Sequence, residues 1–598
     1  MKKVSDIIAI FLKKNEIKHV FGIIGSANSH IFDSIKNLGY TEIINVHHEQ
    51  VAVMAMGAYY RASGNLSASL ITAGGGAANS ITGIVSNWAD SIPGIIITGN
   101  EPLRYIKEHK NKRMFGTQGF NIVKMTSDIT KYSKCLTDSN KIQYELEKCL
   151  SITVESRPGP VLLDIPLDVQ ASKVNLRKWN FEKKSSEYNF SSNIASKLIN
   201  EINKADRPLI IGGNGIKLSN SEDLFRTFVN QTNLPTTLSW SGIDILDHDN
   251  PNFFGRFGIY GQRAANFIVQ SSDLLIVIGS RLALPQTGYN FDEFVRKGRI
   301  IIIDIDDPQF PKKNIYKHFK IDCNEILQDL NSNTNKLKVV NKNWIDYCKK
   351  TFNKYPWIEK NHKSIKGYIN SYEFMDKLSE FLNKDDIIVT DMGTALLSGH
   401  QALKLKSSQR MFTSQGLGEM GYGLAGSIGA AVSSPNKNVL CLNCDGGIMM
   451  NLQELHTIVS NNLNIKIIIF SNDGYLMIKH TQKLFFKGRF TSVNNKTGIG
   501  LPNFEKLLPG FGYKYFRLNN LKRMNKVMKI FLGEPNHAVL EVFMDPVQDF
   551  IPKVRGVIND DNSIIAPPIE DMSPLLKMET MENDFLIETS EISKKIKR

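Results

Sequence analysis

Two short stretches, about one strand–helix–strand unit apart, carry oxygen donors of the kind that hold a hard divalent cation. The first is Cys444-Asp445-Gly446-Gly447-Ile448-Met449-Met450-Asn451-Leu452-Gln453-Glu454-Leu455, where an apolar run ends in Asp445 and a Gly-Gly turn leads into a helix. The second is Ser471-Asn472-Asp473-Gly474-Tyr475, at the end of the apolar run Ile465–Ser471. A helical crossover between parallel strands returns the second strand end to the same sheet edge as the first. Backbone N–H groups at such a turn suit a phosphate. The Asp445 carboxylate, the Asn472 amide oxygen and the carbonyl of Gly474 form an all-oxygen set. Completed by two phosphate oxygens and a water, that set suits octahedral Mg2+. A lone Asp-Gly-Gly is a common turn; the pairing of two strand ends is what gives it chemical meaning.

The elements that must position these residues read as an α/β chain of three doubly wound parallel-sheet domains. In 598 residues, 42% apolar and 22% charged, there is enough chain for several ordinary globular cores. Residues 1–175 alternate strand-like runs (Ser69–Thr72, Gly94–Thr98, Val161–Ile165) with helical patterns. Residues 176–192 are polar and aperiodic, and are predicted to be a linker. A second unit spans 193–340, with strands at Pro208–Ile211, Leu274–Ile278 and Arg299–Ile305. Residues 341–370, rich in Lys, Asn and aromatics, are expected to connect it to a third unit, 371–550. Strands of the third unit are expected at Ile387–Thr390, Val439–Leu442, Ile465–Ser471 and Ala538–Val542. Residues 551–598 form a C-terminal tail, the last twenty or so expected to be loosely ordered.

Charge and composition narrow the function classes. The formal net charge is +14, but the basic residues are scattered, which favours attraction of anionic small molecules over nucleic-acid binding. Six cysteines in this length fit reduced thiols, and the Cys441/Cys444 spacing is read as two strand positions, not a metal or redox pair. No run approaches the roughly 18 apolar residues of a membrane span. Ile7–Leu12, after Met1-Lys2-Lys3, reads as an amphipathic helix without a cleavage site. The expected location is the cytoplasm, away from membranes.

Further blocks accompany the oxygen set. They are His47-His48-Glu49-Gln50-Val51-Ala52 with Gly57–Gly64, Thr72-Ala73-Gly74-Gly75-Gly76-Ala77-Ala78-Asn79, Asp90-Ser91-Ile92-Pro93, Asp391-Met392-Gly393-Thr394, Gly416-Leu417-Gly418-Glu419-Met420-Gly421-Tyr422-Gly423-Leu424-Ala425, and Pro568–Leu576. Together they resemble the thiamine diphosphate-dependent enzymes of the acetolactate synthase large-subunit kind, over about residues 4 to 576. Cys444 replaces the first Gly and Ser471 the first Asn of that family's motif; both metal positions are kept. The resemblance implies pyrimidine-binding, central and diphosphate-binding domains in that order. It implies that Asp445, Asn472 and Gly474 hold Mg2+, and that Glu49 hydrogen-bonds N1′ of the aminopyrimidine. Met420 would wedge beneath a bent cofactor and the carbonyl of Gly418 would accept from its 4′-amino group. Gly25, Asn79, Gly393 and Thr394 would also contact thiamine diphosphate, as would Gly446, Gly447, Tyr475, Leu476 and Met477. The implied reaction breaks or makes the bond beside a 2-oxo acid carbonyl, with proximity supplying much of the acceleration. A carboxyl withdrawn from water suits the role given to Glu49.

The resemblance also implies an active site between subunits of a homodimer or homotetramer. Thr481 stands where acetolactate synthases place a Trp, which opens the acceptor pocket and leaves a hydroxyl. Ile24 replaces a Pro beside Gly25 and Ser26. Gly116-Thr117-Gln118-Gly119-Phe120 also departs from the usual pattern. These features are similar to relatives associated with bacterial surface-saccharide synthesis, some of which transfer a two-carbon acyl unit to a keto sugar. Ser26, Gln118 and Thr481 are the candidate acceptor-pocket residues. FAD stays open: Gly212-Gly213-Asn214-Gly215, Gly279-Ser280-Arg281 and Asp304-Ile305-Asp306 resemble the FAD-binding central domain, but Pro285 stands where that family carries an Arg. The rivals are a thiamine- and FAD-dependent oxidase and a catalytically silent binding or regulatory subunit.

Overall fold

Runs of Ile, Val and Leu bounded by Gly, Pro or polar residues become three parallel six-stranded sheets, as expected for strands covered on both faces. The computed structural model describes residues 1–175, 193–308, 315–406, 408–558 and 564–598. The linker expected at 176–192 lies outside the described residues.

The first sheet comprises β1 (His19–Gly22), β2 (Glu42–Asn45), β3 (Ala68–Ile71), β4 (Gly94–Asn100), β5 (Tyr132–Cys135) and β6 (Pro160–Pro166), in spatial order β2-β1-β3-β4-β6-β5. The central sheet comprises β7 (Pro208–Gly212), β8 (Thr236–Leu238), β9 (Phe253–Arg256), β10 (Leu274–Ile278), β11 (Arg299–Asp304) and β12 (Ile315–Lys320), in order β9-β8-β7-β10-β11-β12. The third comprises β13 (Ile387–Thr390), β14 (Arg410–Phe412), β15 (Val439–Cys444), β16 (Ile465–Ser471), β17 (Lys514–Leu518) and β18 (Ala538–Phe543), in order β14-β13-β15-β16-β18-β17. The first and third sheets thus share one topology. In each, the order reverses between the first and third strands, and ligand crevices form at such switch points.

The chain divides into two compact units. One contains Met1–Ser186, Asp385–Leu396 and Arg410–Pro546; the other contains Glu187–Lys384, Leu397–Gln409 and Val547–Arg598. The first therefore holds the first and third sheets. Within it, helix Glu49–Ser63 packs along helix Tyr422–Ser433, and nearly every residue of the second helix is buried. The second unit holds the central sheet, whose core runs from Ile194 to Met572.

Two expectations differ from the structure. Residues 341–370 include a 13-residue helix, Lys342–Lys354, whose Trp344 and Cys348 face the central core. The tail is ordered: helices Met578–Asp584 and Glu591–Lys594 bury Met581, Phe585 and Ile596. No described helix is long and apolar enough to cross a membrane.

Candidate active site

Asp445 stands at the end of β15, 1% exposed. Its Oδ1 accepts the Gly446 N–H at 2.8 Å, and its Oδ2 accepts the N–H groups of Asn472 (2.9 Å) and Gly474 (3.1 Å). One carboxylate thus ties the ends of β15 and β16 together. Burial pushes its pKa up to about 6, against the pull of these three N–H groups.

Asn472 Nδ2 donates to Thr394 Oγ1 at 2.6 Å. In that orientation the amide oxygen faces the carbonyl of Gly474 at 2.8 Å and Asp445 Oδ1 at 3.2 Å. Three oxygens meeting so closely repel one another unless a cation lies among them. Neighbouring ligands of an octahedral Mg2+, with Mg–O near 2.1 Å, are about 3.0 Å apart, so these residues fit that ion. Turning the amide over puts its NH2 on the same two oxygens and lets the Thr394 hydroxyl donate. The position therefore accommodates either an amide N–H or a cation. The Gly474 carbonyl also accepts the Leu476 N–H at 3.0 Å, which leaves it one lone pair for the metal.

The glycines here allow close approach. A Cβ at Gly446 would fall 2.4 Å from the Tyr475 ring, and one at Gly447 would fall 2.0 Å from Asp391 Oδ2. Gly474, at φ +96°, abuts the Val493 carbonyl. Leu476 and Met477 form the first turn of helix Leu476–Phe485. Asp391, at the end of β13, accepts the N–H groups of Gly421 (2.9 Å) and Gly423 (3.4 Å) on Oδ1. It thereby anchors the loop carrying Gly418 and Met420 to the sheet edge. Burial raises the Asp391 carboxyl to about 7. Gly418, at φ +74°, lies against the Met392 methyl, and Met420 is half-buried.

Cys444 leaves this geometry intact. Its Sγ accepts the Ala395 N–H at 3.5 Å, beside Gly393, whose φ of +105° and missing side chain give the sulfur room. Thr394 opens helix Thr394–Ala402. Burial pushes the Cys444 thiol well up, so it behaves as a small apolar group.

A second cluster forms at the switch point of the first sheet. Glu49 begins helix Glu49–Ser63, capped by His48, and is 8% exposed. Asn79 Nδ2 donates to its Oε2 at 3.0 Å, and Gly76 lets Oε1 approach, since a Cβ there would fall 2.9 Å away. Gly25 follows β1, and a Cβ on it would meet Thr72 Oγ1, beyond β3, at 2.3 Å. Gln118 packs against Gly74, while Glu101 Oε1 accepts the N–H groups of Thr117 (3.1 Å) and Gln118 (2.9 Å). Ser26 and Gln118 are both exposed at this edge. Thr481 is also exposed, but it belongs to the other cluster, and its hydroxyl donates to the Met477 carbonyl at 3.3 Å.

The residues flanking Glu49 are fastened to the segment that follows the Asp445 turn. The His47 N–H donates to Glu454 Oε1 (2.9 Å) and Gln50 Nε2 to Asn451 Oδ1 (2.7 Å). Asn451 Nδ2 donates in turn to the Gly421 carbonyl at 2.9 Å. The sequence motif contains Asn451 and Glu454, yet sequence reasoning gave neither a role, nor one to the Asp391 side chain. The available signal was polar residues inside the apolar pattern after the Gly-Gly turn. A separate groove lies elsewhere on the third sheet's domain, lined by Tyr515, Arg517, Arg523 and Lys526.

Comparisons with known proteins agree with this geometry. Residues 2–131 match the N-terminal TPP binding domain of thiamine pyrophosphate enzymes, 195–330 their central domain, and 391–542 their C-terminal TPP binding domain. The acetolactate synthase large subunit of Porphyra purpurea is 30% identical over 587 residues, covering 93% of this chain and 94% of that protein. Acetolactate synthase isozyme 2 large subunit of Escherichia coli K12 is 28% identical, covering 91% and 96%. The Lactococcus lactis large subunit is 29% identical, covering 94% and 96%. With its three domains matched in order and both switch points furnished with fitting residues, the chain belongs to the thiamine pyrophosphate enzymes, resembling the acetolactate synthase large subunits among them.

Proposed function

We propose that this protein is a Mg2+-dependent 2-oxo acid carboligase that transfers an acyl unit from an acid such as pyruvate to a carbonyl acceptor larger and more polar than that of acetolactate synthase. The observation that supports the metal assignment is the convergence of Asp445, the Asn472 side-chain amide and the Gly474 carbonyl at two strand ends, one amide atom lying 2.8 Å from Gly474 O and 3.2 Å from Asp445 Oδ1. Thiamine diphosphate, when bound, supplies a carbon nucleophile and an electron sink for decarboxylation.

The protein's own residues do the rest. Asp445, Asn472 and Gly474 hold the ion that neutralises the diphosphate, and the Gly446-Gly447 turn lets the chain approach it closely. The Gly418 carbonyl and Met420, fixed through Asp391, orient the aminopyrimidine. Glu49 holds a proton at N1′, and Asn79 keeps its carboxylate turned that way. Gln118 and Ser26 on one edge, and Thr481 on the other, offer hydrogen bonds to a polar acceptor where an indole would exclude one. Following the family resemblance, the functional unit is a homo-oligomer with the site completed between subunits. It is cytoplasmic.

Product analysis by mass spectrometry tests this reading, with pyruvate, Mg2+, thiamine diphosphate and a panel of aldehyde and keto-sugar acceptors. The expected product is the acceptor extended by two carbons, with CO2 released, and Glu49→Gln nearly abolishes it while Mg2+ and cofactor binding persist. Oxygen uptake without ligation would make the protein an oxidase. A visible flavin spectrum in the purified protein would place FAD in the central domain. Near-normal turnover by Glu49→Gln would refute the role given to that residue.

A further inference from the structure

We infer that Lys479 is a positioning residue whose ammonium holds the Asn472–Gly474 turn in its metal-ready shape. This rests on the assignment of Asp445, Asn472 and Gly474 as the metal set. Lys479 lies one turn into helix Leu476–Phe485 and is only 8% exposed. Its Nζ contacts the Asn472 carbonyl (3.4 Å), the Asp473 carbonyl (2.5 Å) and Asp473 Oδ2 (3.3 Å). An ammonium has three protons and no acceptor. All three are used on one turn, which is how a buried cation avoids its desolvation penalty.

The turn needs holding. Asp473 takes φ +60°, a left-handed conformation that strains a non-glycine residue, followed by Gly474 at +96°. Asn494 Nδ2 braces Asp473 Oδ2 from the far side at 2.9 Å. The three successive carbonyls divide their work. Those of Asn472 and Asp473 face the ammonium, and that of Gly474 faces the Asn472 side-chain amide.

The same ammonium also brings a positive charge close to a site for a dication, so its two effects oppose one another. As a clamp it strengthens metal binding by preorganising the turn; as a charge it weakens it. Three contacts to the turn, together with the strained Asp473, make the clamp dominant.

Mg2+ titration calorimetry on the full chain, at fixed saturating thiamine diphosphate, separates the two. Lys479→Met keeps the stem and removes the ammonium; it is expected to weaken Mg2+ binding by about tenfold or more, the range for lost supporting hydrogen bonds around a metal. Lys479→Arg, which can still donate to both carbonyls, is expected to retain most of the affinity. Adding Asp473→Gly to Lys479→Met is expected to restore part of it, since glycine takes the left-handed conformation without strain. Unchanged or tighter Mg2+ binding in Lys479→Met would overturn the inference. If Lys479→Met does not fold, Lys479→Gln, whose neutral side chain is one bond shorter than that of lysine, carries the same test, with weakened binding expected and unchanged binding overturning it. Asp445→Asn is the control for the underlying assignment. Loss of Mg2+ binding there alongside an unaffected Lys479→Met sinks only the clamp, whereas retained binding in Asp445→Asn sinks the metal set itself.

Discussion

Burial raises the Asp445, Asp391 and Asp164 carboxyls of the first unit, and their hydrogen-bond partners separate their tasks. Asp445 gathers three backbone N–H groups and turns its remaining capacity toward the oxygen set. Asp391 spends one oxygen on the Gly421–Gly423 backbone. Asp164, on β6, accepts from Thr98 (2.8 Å) and Asn100 (2.8 Å) on β4. Asn100 in turn donates to the Phe120 carbonyl, so Asp164 indirectly steadies the loop that presents Gln118. Burial lifts the Asp164 carboxyl to about 6 from 3.8. The folded chain therefore holds this proton more tightly than the unfolded chain does. The stabilisation is fully present below about pH 4 and is lost as pH rises through about 6. Its size is on the order of 3 kcal/mol at most. Asp164→Asn cannot ionise, so its unfolding free energy, measured with denaturant between pH 4 and 7, is expected to vary less than that of the wild type. An identical pH profile would remove Asp164 from this role. At this scale Asp445, Asn472 and Gly474 were legible because their place after strand ends is a sequence property, whereas Glu49 was named only through the family resemblance. Lys479 and the Asp391 carboxyl were not, because their partners are set by how a turn folds back.

Among elements, the switch points explain the glycines. The central sheet has its own, between β7 and β10, where the Gly213 N–H donates to the Ile278 carbonyl (2.9 Å) and the Gly215 N–H to the Gly279 carbonyl (2.8 Å). A Cβ on Gly213 would fall 2.2 Å from the Gly279 carbonyl oxygen. The Gly-Gly-x-Gly signal thus has a structural cause independent of any nucleotide: two strand ends meet backbone to backbone. Gly213→Ala is expected to cost about 1–3 kcal/mol of stability by overpacking, read as a lower thermal midpoint, and an unchanged midpoint would mean that the strand ends can part freely. The strands named from the sequence were placed to within a residue or two, because buried parallel strands are continuous apolar runs; short or partly polar ones such as β2, β12 and β17 were not named. Val439–Leu442 was read two residues short of β15, since Asn443 and Cys444 lack the apolar β-branched character that marks a strand. Helix Lys342–Lys354 was hidden by its Lys and Asn content, although Trp344 and Cys348 are spaced one turn apart on its buried face.

At the scale of the whole molecule, the first and third sheets repeat one strand order that no sequence similarity between them announces, and each places site residues after its first and third strands, with Glu49 after β2 and Asn472 and Gly474 after β16. Chain order alone could not reveal this, because topology depends on which strands pair. The tail was misjudged for a related reason. Its helices are seven and four residues long, too short for an amphipathic period to stand out from a charged background. One of its anchors is Arg598. Arg598 donates to Asp571 Oδ1 (3.0 Å) and Oδ2 (2.8 Å) as a planar fork, and to the Leu576 carbonyl (2.8 Å). The Asp571 side chain is 1% exposed, so removing the guanidinium leaves a buried carboxylate without its counter-charge. Breaking such a pair from one side costs about 3–5 kcal/mol, more than the intact pair contributes. Arg598→Ala is therefore expected to destabilise the second unit by about 3 kcal/mol and to expose Lys577–Arg598 to limited proteolysis. Arg598→Lys restores the charge but not the fork, and is expected to recover only part of the loss. Replacing both partners, as Arg598→Leu with Asp571→Asn, is expected to cost less than Arg598→Ala alone, because no buried charge is then left unpaired. A double variant as unstable as the single one would show that apolar packing around Met581, Phe585 and Ile596, and not the fork, secures the tail.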